Sequence, residues 1–127
     1  ASRIMLAIKS ILASEDEIDT LIFDEIDTGI SGKTATMVAE KMANISRHHQ
    51  VICISHLSQI AAMADNHYLI EKKLENNSTI TNIKKLSGDE SIEELVRING
   101  DGTVSEAAIS HAKEMKEMAE RTKSYLI

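Results

Sequence analysis

The sequence predicts an α/β fold with a parallel βαβ core, a β-hairpin and C-terminal helices. Three observations carry this. Two short apolar runs, TLIF (20–23) and VICIS (51–55), flank a stretch with helical spacing, as in a βαβ unit. HYLIEK (67–72) and TITNIK (79–84) alternate in the manner of strands around a polar turn. Two further helical stretches come after them, each opened by a Ser or Thr three residues before a Glu.

Each element has its own local reason. In RIMLAIKSILA (3–13), Ile4, Ile8, Ile11 and Leu12 share one helical face, which is expected to point inward. The chain thus opens inside a helical pattern, as a piece cut from something larger would. SEDEID is a polar break. Thr20 to Phe23 reads as a buried strand. Ser31 is placed to cap a helix through about Arg47, with Ala35, Val38, Ala39, Met42 and Ile45 inward. VICIS is the second buried strand, parallel to the first. Leu57 to Ala64 is a short helix. Glu75–Ser78 is the hairpin turn. Ser87 and Glu90 suit a capping box for a helix carrying Ile92, Leu95 and Val96 and closing near Gly100. Thr103 and Glu106 suit another, for a last helix to about Ser124 with Ala108, Ala112, Met115 and Ala119 inward. There is no proline and no internal repeat, so residues 1–127 are expected to form a single domain.

Composition narrows the function. At 127 residues and 43% hydrophobic content the chain can bury a core without disulfides. Only Phe23, Tyr68 and Tyr125 are aromatic, so Ile, Leu, Val, Ala and the six Met residues must fill it. A net charge of −6 argues against this segment being the main grip on nucleic acid. The lone Cys53 is expected to be a buried structural thiol in a reducing cytoplasm. No run reaches transmembrane length, so no membrane partner is expected.

GISGKT (29–34) ends like a phosphate-binding P-loop, but only two residues separate Gly29 from Gly32 where the loop needs four. Asp27 stands where the first glycine belongs, and its charge would repel a phosphate. A helix start at Ser31 is the better reading. The run LIFDE delivers Asp24 and Glu25 to the C-terminal end of a strand, where open α/β sheets place ligands. A carboxylate there can hold Mg²⁺ and its neighbour can deprotonate a water. Both could equally be solvated strand-end acids. His56 comes directly after the second parallel strand and should emerge at the same edge, where an imidazole can reach a phosphate or the water. His48, His49, His67 and His111 lack ligand spacing and read as surface or packing residues.

SRIMLAIKSILA, TLIFDEIDTGISGKTATMVAEKMANIS and QVICISHLSQIAAMADNHYLIEK together resemble the C-terminal ATPase-head segment of bacterial DNA-repair members of the ABC-type, SMC-like ATPases. The resemblance implies a partial P-loop NTPase lobe of the ABC-head type, lacking the P-loop strand. It implies that Asp24 is the Walker B acid that holds Mg²⁺ and Glu25 the catalytic base. Asp27, Gly29 and Ser31 would belong to the D-loop, which meets the opposing head around ATP, although such loops carry an Asp where Ser31 stands. His56 would be the switch histidine near the γ-phosphate. Ser2 and Arg3 would begin the helix after the signature motif. Further implications are a bacterial, cytoplasmic, nucleoid-associated protein acting in double-strand-break repair. Its partners would be an N-terminal head segment of the same protein, a second head in an ATP-dependent dimer, and DNA through the full-length protein. The Walker A, Q-loop and signature segments are not in the sequence, so this chain alone is expected to be inactive, with ATP and Mg²⁺ bound only in the complete head.

In such heads the P-loop strand lies between the strands at 51–55 and 67–72. Without it, two apolar strand edges are exposed. The chain is expected either to rearrange and close this gap or to fill it through another chain. Two other functions stay open: a non-enzymatic protein-interaction module, and a metal-dependent phosphohydrolase built on Asp24, Glu25 and Asp27.

Overall fold

A computed structural model of the chain describes residues 2–12, 17–100 and 103–126. The elements run α1 (Ser2–Leu12), β1 (Thr20–Asp24), α2 (Gly32–Ile45), β2 (Gln50–Ile54), α3 (Ser58–Met63), β3 (Tyr68–Glu75), β4 (Ser78–Lys85), α4 (Gly88–Asn99) and α5 (Glu106–Ser124). Position 13, the Leu12 side chain and part of the SEDEID break lie outside the described residues.

The parallel pair forms as its sequence spacing predicts. β1 and β2 align Thr20 with Gln50 and Asp24 with Ile54. Side chains alternate across a strand, so Leu21, Phe23, Val51 and Cys53 share one face. That face packs with Val38, Ala39, Met42 and Ile45 of α2, Ile60 of α3 and Leu6 of α1 in the larger core cluster. Phe23 is only 2% exposed there. The opposite face carries Ile22, Ile52 and Ile54, and all three are exposed, Ile22 by 67%. The expectation of two buried strands is corrected: each is buried on one side only. Apolar residues on both faces announce two-sided cover, but α2 supplies cover to one side and no described element reaches the other.

The first helix needs a similar correction. Ile4, Ile8 and Ile11, expected inward, are exposed, and among the described side chains of α1 the buried one is Leu6. A helical period tells which side chains share a face. It does not tell which face meets a neighbour.

β3 and β4 pair antiparallel from Tyr68↔Lys85 to Glu75↔Ser78. Asn76 and Asn77 both adopt positive φ, 48° and 62°, as a two-residue I′ hairpin turn demands. This hairpin forms a sheet separate from β1 and β2. No rearrangement pairs β2 with β3, so the gap between them is not closed within the described residues.

A second core cluster joins Ala62 of α3, Leu95 and Val96 of α4, and Ala112 of α5. Around it sits a polar knot. Lys116 Nζ donates to Ser91 Oγ at 2.9 Å, and the same hydroxyl is 2.7 Å from His67 Nδ1. Burial and the Lys116 charge lower the His67 pKa, which keeps the ring neutral and able to accept from Ser91. Residues from the start of the hairpin, α4 and α5 are thereby tied at one atom.

The capping box at α4 is present in both directions. Glu90 N–H donates to Ser87 Oγ at 3.2 Å, and Ser87 N–H donates to Glu90 Oε1 at 3.0 Å. Ser87→Ala is expected to cost about 1 kcal/mol. Urea unfolding should show a lower midpoint at unchanged m. For α5 the cap differs from expectation. Ser105, not Thr103, is the N-cap, and its hydroxyl accepts from Ala108 N–H at 3.1 Å. Both residues are capable caps, and the helix begins two residues later than the Thr103–Glu106 spacing suggested.

Candidate functional site at the ends of the parallel strands

The register that aligns Asp24 with Ile54 also sets where both strands end. Asp24 is the last residue of β1, and Ser55 and His56 come directly after β2. The sheet edge therefore gathers Asp24, Glu25 and His56, as the two strand lengths predict.

Glu25 leaves the strand with φ of +59°, the left-handed region that side-chain-bearing residues seldom occupy. Such a conformation costs on the order of 1 kcal/mol or more and persists only where surrounding structure enforces it. Here the enforcement is visible. Thr28 N–H donates to Glu25 O at 3.2 Å and Ile30 N–H to Asp27 O at 3.3 Å, so two turns overlap. Ile26 is fully buried in the larger core cluster and plugs the loop from below. Gly29 has φ of +75°, which only glycine adopts freely, although a Cβ there would meet open space. Asp24, Glu25, Thr28 and Gly29 are left exposed. Ser31 occupies the N-cap position of α2, but its side chain makes no capping bond.

Asp27 points inward. It is 4% exposed. Its Oδ2 accepts from Ser55 Oγ at 2.7 Å and from His56 N–H at 3.0 Å, and it lies 2.9 Å from His56 Nδ1. Ser55 Oγ in turn accepts from Leu57 N–H at 3.1 Å. Burial alone would raise the Asp27 carboxyl. The bonds from His56 and Ser55, with the nearby imidazole, outweigh it and hold the group below its ordinary value. The His56 side chain is 78% exposed despite this anchor. Sequence reasoning did not find the link between Asp27 and Ser55–His56. The partners are 28 and 29 residues apart, and no local pattern signals them.

Cys53, one residue back along β2 from Ile54, is half-buried and not, as expected, fully buried. Burial, then the charges of Asp27 and Asp24, push it up to about 11, so it is no nucleophile at neutral pH.

The edge suits Mg²⁺ as a one-ligand contributor. The ion is commonly held by one or two protein carboxylates, with phosphate and water oxygens completing an octahedron. Asp24 is exposed at the strand end and offers such an oxygen. Among the described residues no group of three or more Asp, Glu, His or Cys converges on a cation position. Asp27 is also committed elsewhere, which weakens the phosphohydrolase reading that needed it. A surface depression lined by Lys116, Glu117, Glu120 and Arg121 lies on α5 and is open to solvent.

The fold is similar to part of an SMC ATPase. A solved SMC ATPase structure, described in terms of ATP-driven dimerization and DNA-stimulated activation, superposes with a TM-score of 0.59 at 20% identity. The match covers 79% of this chain and 60% of that one. Within that class the chain is RecN-like over nearly its whole length. It is 45% identical over 123 residues to the DNA repair protein RecN of Bacillus subtilis, which covers 97% of this chain and 21% of that protein. It is 43% identical over 114 residues to RecN of Treponema pallidum and 39% identical over 118 residues to RecN of Streptomyces coelicolor. These matches cover 90% and 93% of the chain. The chain thus spans about a fifth of the length of these relatives. No family model matches it. Among the described residues, no helix is long and apolar enough to cross a membrane.

Proposed function

We propose that the chain, acting as one unit, supplies the hydrolytic half of an ATPase head in a RecN-type DNA-repair protein. The observation that carries this reading is the strand-end edge, where the parallel register gathers Asp24, the strained Glu25 and the exposed His56. In this reading Asp24 is the Walker B acid, donating an oxygen to Mg²⁺ on the nucleotide phosphates. Mg²⁺, when bound with ATP, neutralises developing charge on the transferred phosphoryl group. Glu25 accepts a proton from the attacking water. His56 approaches the γ-phosphate as the switch histidine. The exposed turn at Thr28 and Gly29, with Ser31 beyond it, is the D-loop surface that meets a second head.

The bare face of Ile22, Ile52 and Ile54 supports a further part of the reading. An N-terminal segment of the same protein would cover that face and insert the P-loop strand beside β2. It would bring the phosphate cradle that this sequence lacks. Head engagement would then be coupled to DNA handling elsewhere in the protein, in the bacterial cytoplasm and at the nucleoid.

The test separates the parts. The 127-residue chain alone is expected to show no Mg²⁺-dependent ATP turnover, whereas a full-length RecN containing it hydrolyses ATP. Turnover by the short chain that vanishes in its Glu25→Gln variant would show that the missing segments are dispensable. No turnover in the full-length protein would remove the ATPase reading altogether.

A further inference from the structure

We infer that Asp27 is the positioning residue for His56, fixing its ring so that Nδ1 carries a hydrogen and Nε2 faces outward at the strand-end edge. The inference rests on the ATPase reading for what His56 does, but not for how the ring is held.

A carboxylate only accepts hydrogen bonds. The Asp27 carboxyl is held below its ordinary value, so the group facing the ring at neutral pH is the carboxylate. Nδ1 lies at an ion-pair distance of 2.9 Å from it, where a bare lone pair would face the carboxylate's charge, so we place the hydrogen on Nδ1. The tautomer of a histidine is set by the bond its other nitrogen makes. Nε2 then holds the lone pair in the neutral ring and a hydrogen only in the imidazolium. A neutral His56 would accept from a water, and only the cation would donate to a phosphate oxygen.

Geometry adds a second constraint. The same Oδ2 takes the backbone N–H of His56, so it fixes the position of the residue as well as its ring. Ser55 braces the carboxylate, and Leu57 N–H braces Ser55. Asp27 sits in the turn that also carries Glu25, and that turn is seated on the core by Ile26. One buried carboxylate therefore holds the exposed histidine at a set distance from the loop of the exposed glutamate. A side chain committed this way does not itself reach a second head.

Two measurements decide it. The first reads the ring. In the ¹⁵N-histidine-labelled 127-residue chain, the ring nitrogen shifts of His56 should report the Nδ1–H form when neutral. In Asp27→Ala the ring should move towards the Nε2–H form. His48, His49, His67 and His111 report in the same spectrum whether the fold survives. An Nε2–H ring in the unsubstituted chain, or an unchanged tautomer in a folded Asp27→Ala variant, overturns the inference.

The second measurement covers the case in which the variant or the short chain does not fold. In a full-length RecN containing this sequence, Asp27→Asn keeps the shape and removes the charge. It is expected to lower kcat about tenfold with KM for ATP nearly unchanged. With His56 already replaced by Ala, it should do nothing further. An equal loss in both backgrounds would mean that Asp27 acts on the loop and not through His56. If the unsubstituted full-length protein hydrolysed no ATP, the ATPase reading would fail by itself and the ring measurement would still decide the tautomer.

Discussion

Glu25→Gln in a full-length RecN containing this sequence is expected to lower ATP turnover by about 100-fold or more, while ATP-driven association of heads persists. The amide preserves the size and the hydrogen-bonding reach of the side chain but cannot accept a proton at neutral pH. Losing a positioned general base typically costs about 10²–10⁴ in rate. Nucleotide binding and head engagement depend on phosphate contacts and on surfaces that Glu25 does not build in this reading. Steady-state turnover and sedimentation with ATP should therefore separate. The backbone at Glu25 makes the prediction sharper. Its φ of +59° is enforced by the turn to Thr28 and by the buried Ile26, not by the carboxylate. The substitution should thus leave the loop in place. If turnover and association fell together, Glu25 would be holding structure and not moving a proton.

Phe23→Ala is expected to have the largest effect on stability. Phe23 lies in the strand immediately before Asp24 and packs in the cluster shared by α1, α2, α3 and the strands. Removing the aromatic ring leaves a cavity there, and such truncations cost about 3–5 kcal/mol. Set against a total stability of about 5–15 kcal/mol for a domain, this is a large share. Denaturant unfolding of the full-length protein should show the loss in the transition of the head. In the ATPase reading, the same change should also lower ATP turnover. Asp24 ends the strand that Phe23 anchors and Glu25 follows it; if they act as proposed, small misplacements of them would be costly. A Phe23→Ala protein with unchanged unfolding midpoint would show that this cluster is not the main core.

The parts of the fold legible in the sequence are those coded by neighbours along the chain. The I′ turn at Asn76–Asn77 lies within the four-residue polar turn between two alternating runs. Ser87 and Glu90 are three residues apart and complete their capping box without outside help. The inner face of α2 keeps to its 3.6-residue period, and Ala35, Val38, Ala39, Met42 and Ile45 are all buried. The strand-end placement of Asp24, Glu25 and His56 was also legible, since two parallel strands in this register bring the residues at and just after their ends to one edge. The rest needed partners. Ile4, Ile8 and Ile11 share a face but stay exposed, as do Ile22, Ile52 and Ile54. Their apolarity records a requirement for cover that no described element meets. Ser105 displaced Thr103 because both can cap, and only the start of α5 in three dimensions selects between them.

By itself, the sequence determined the order of elements, the parallel core with its hairpin and helices, and which carboxylates and imidazole stand at the strand ends. It also showed that the glycine spacing of GISGKT departs from that of a phosphate-binding P-loop, because that spacing is a covalent fact. Only the tertiary structure decided that Asp27 turns inward to Ser55 and His56, that Glu25 is held at positive φ, and that one face of the parallel pair is left exposed by the described elements. The physical reason is range. Periodicity, caps and turns act over a few residues and are written in the local chain. A hydrogen bond from residue 56 to residue 27, or the cover for an apolar face, exists only when distant segments meet.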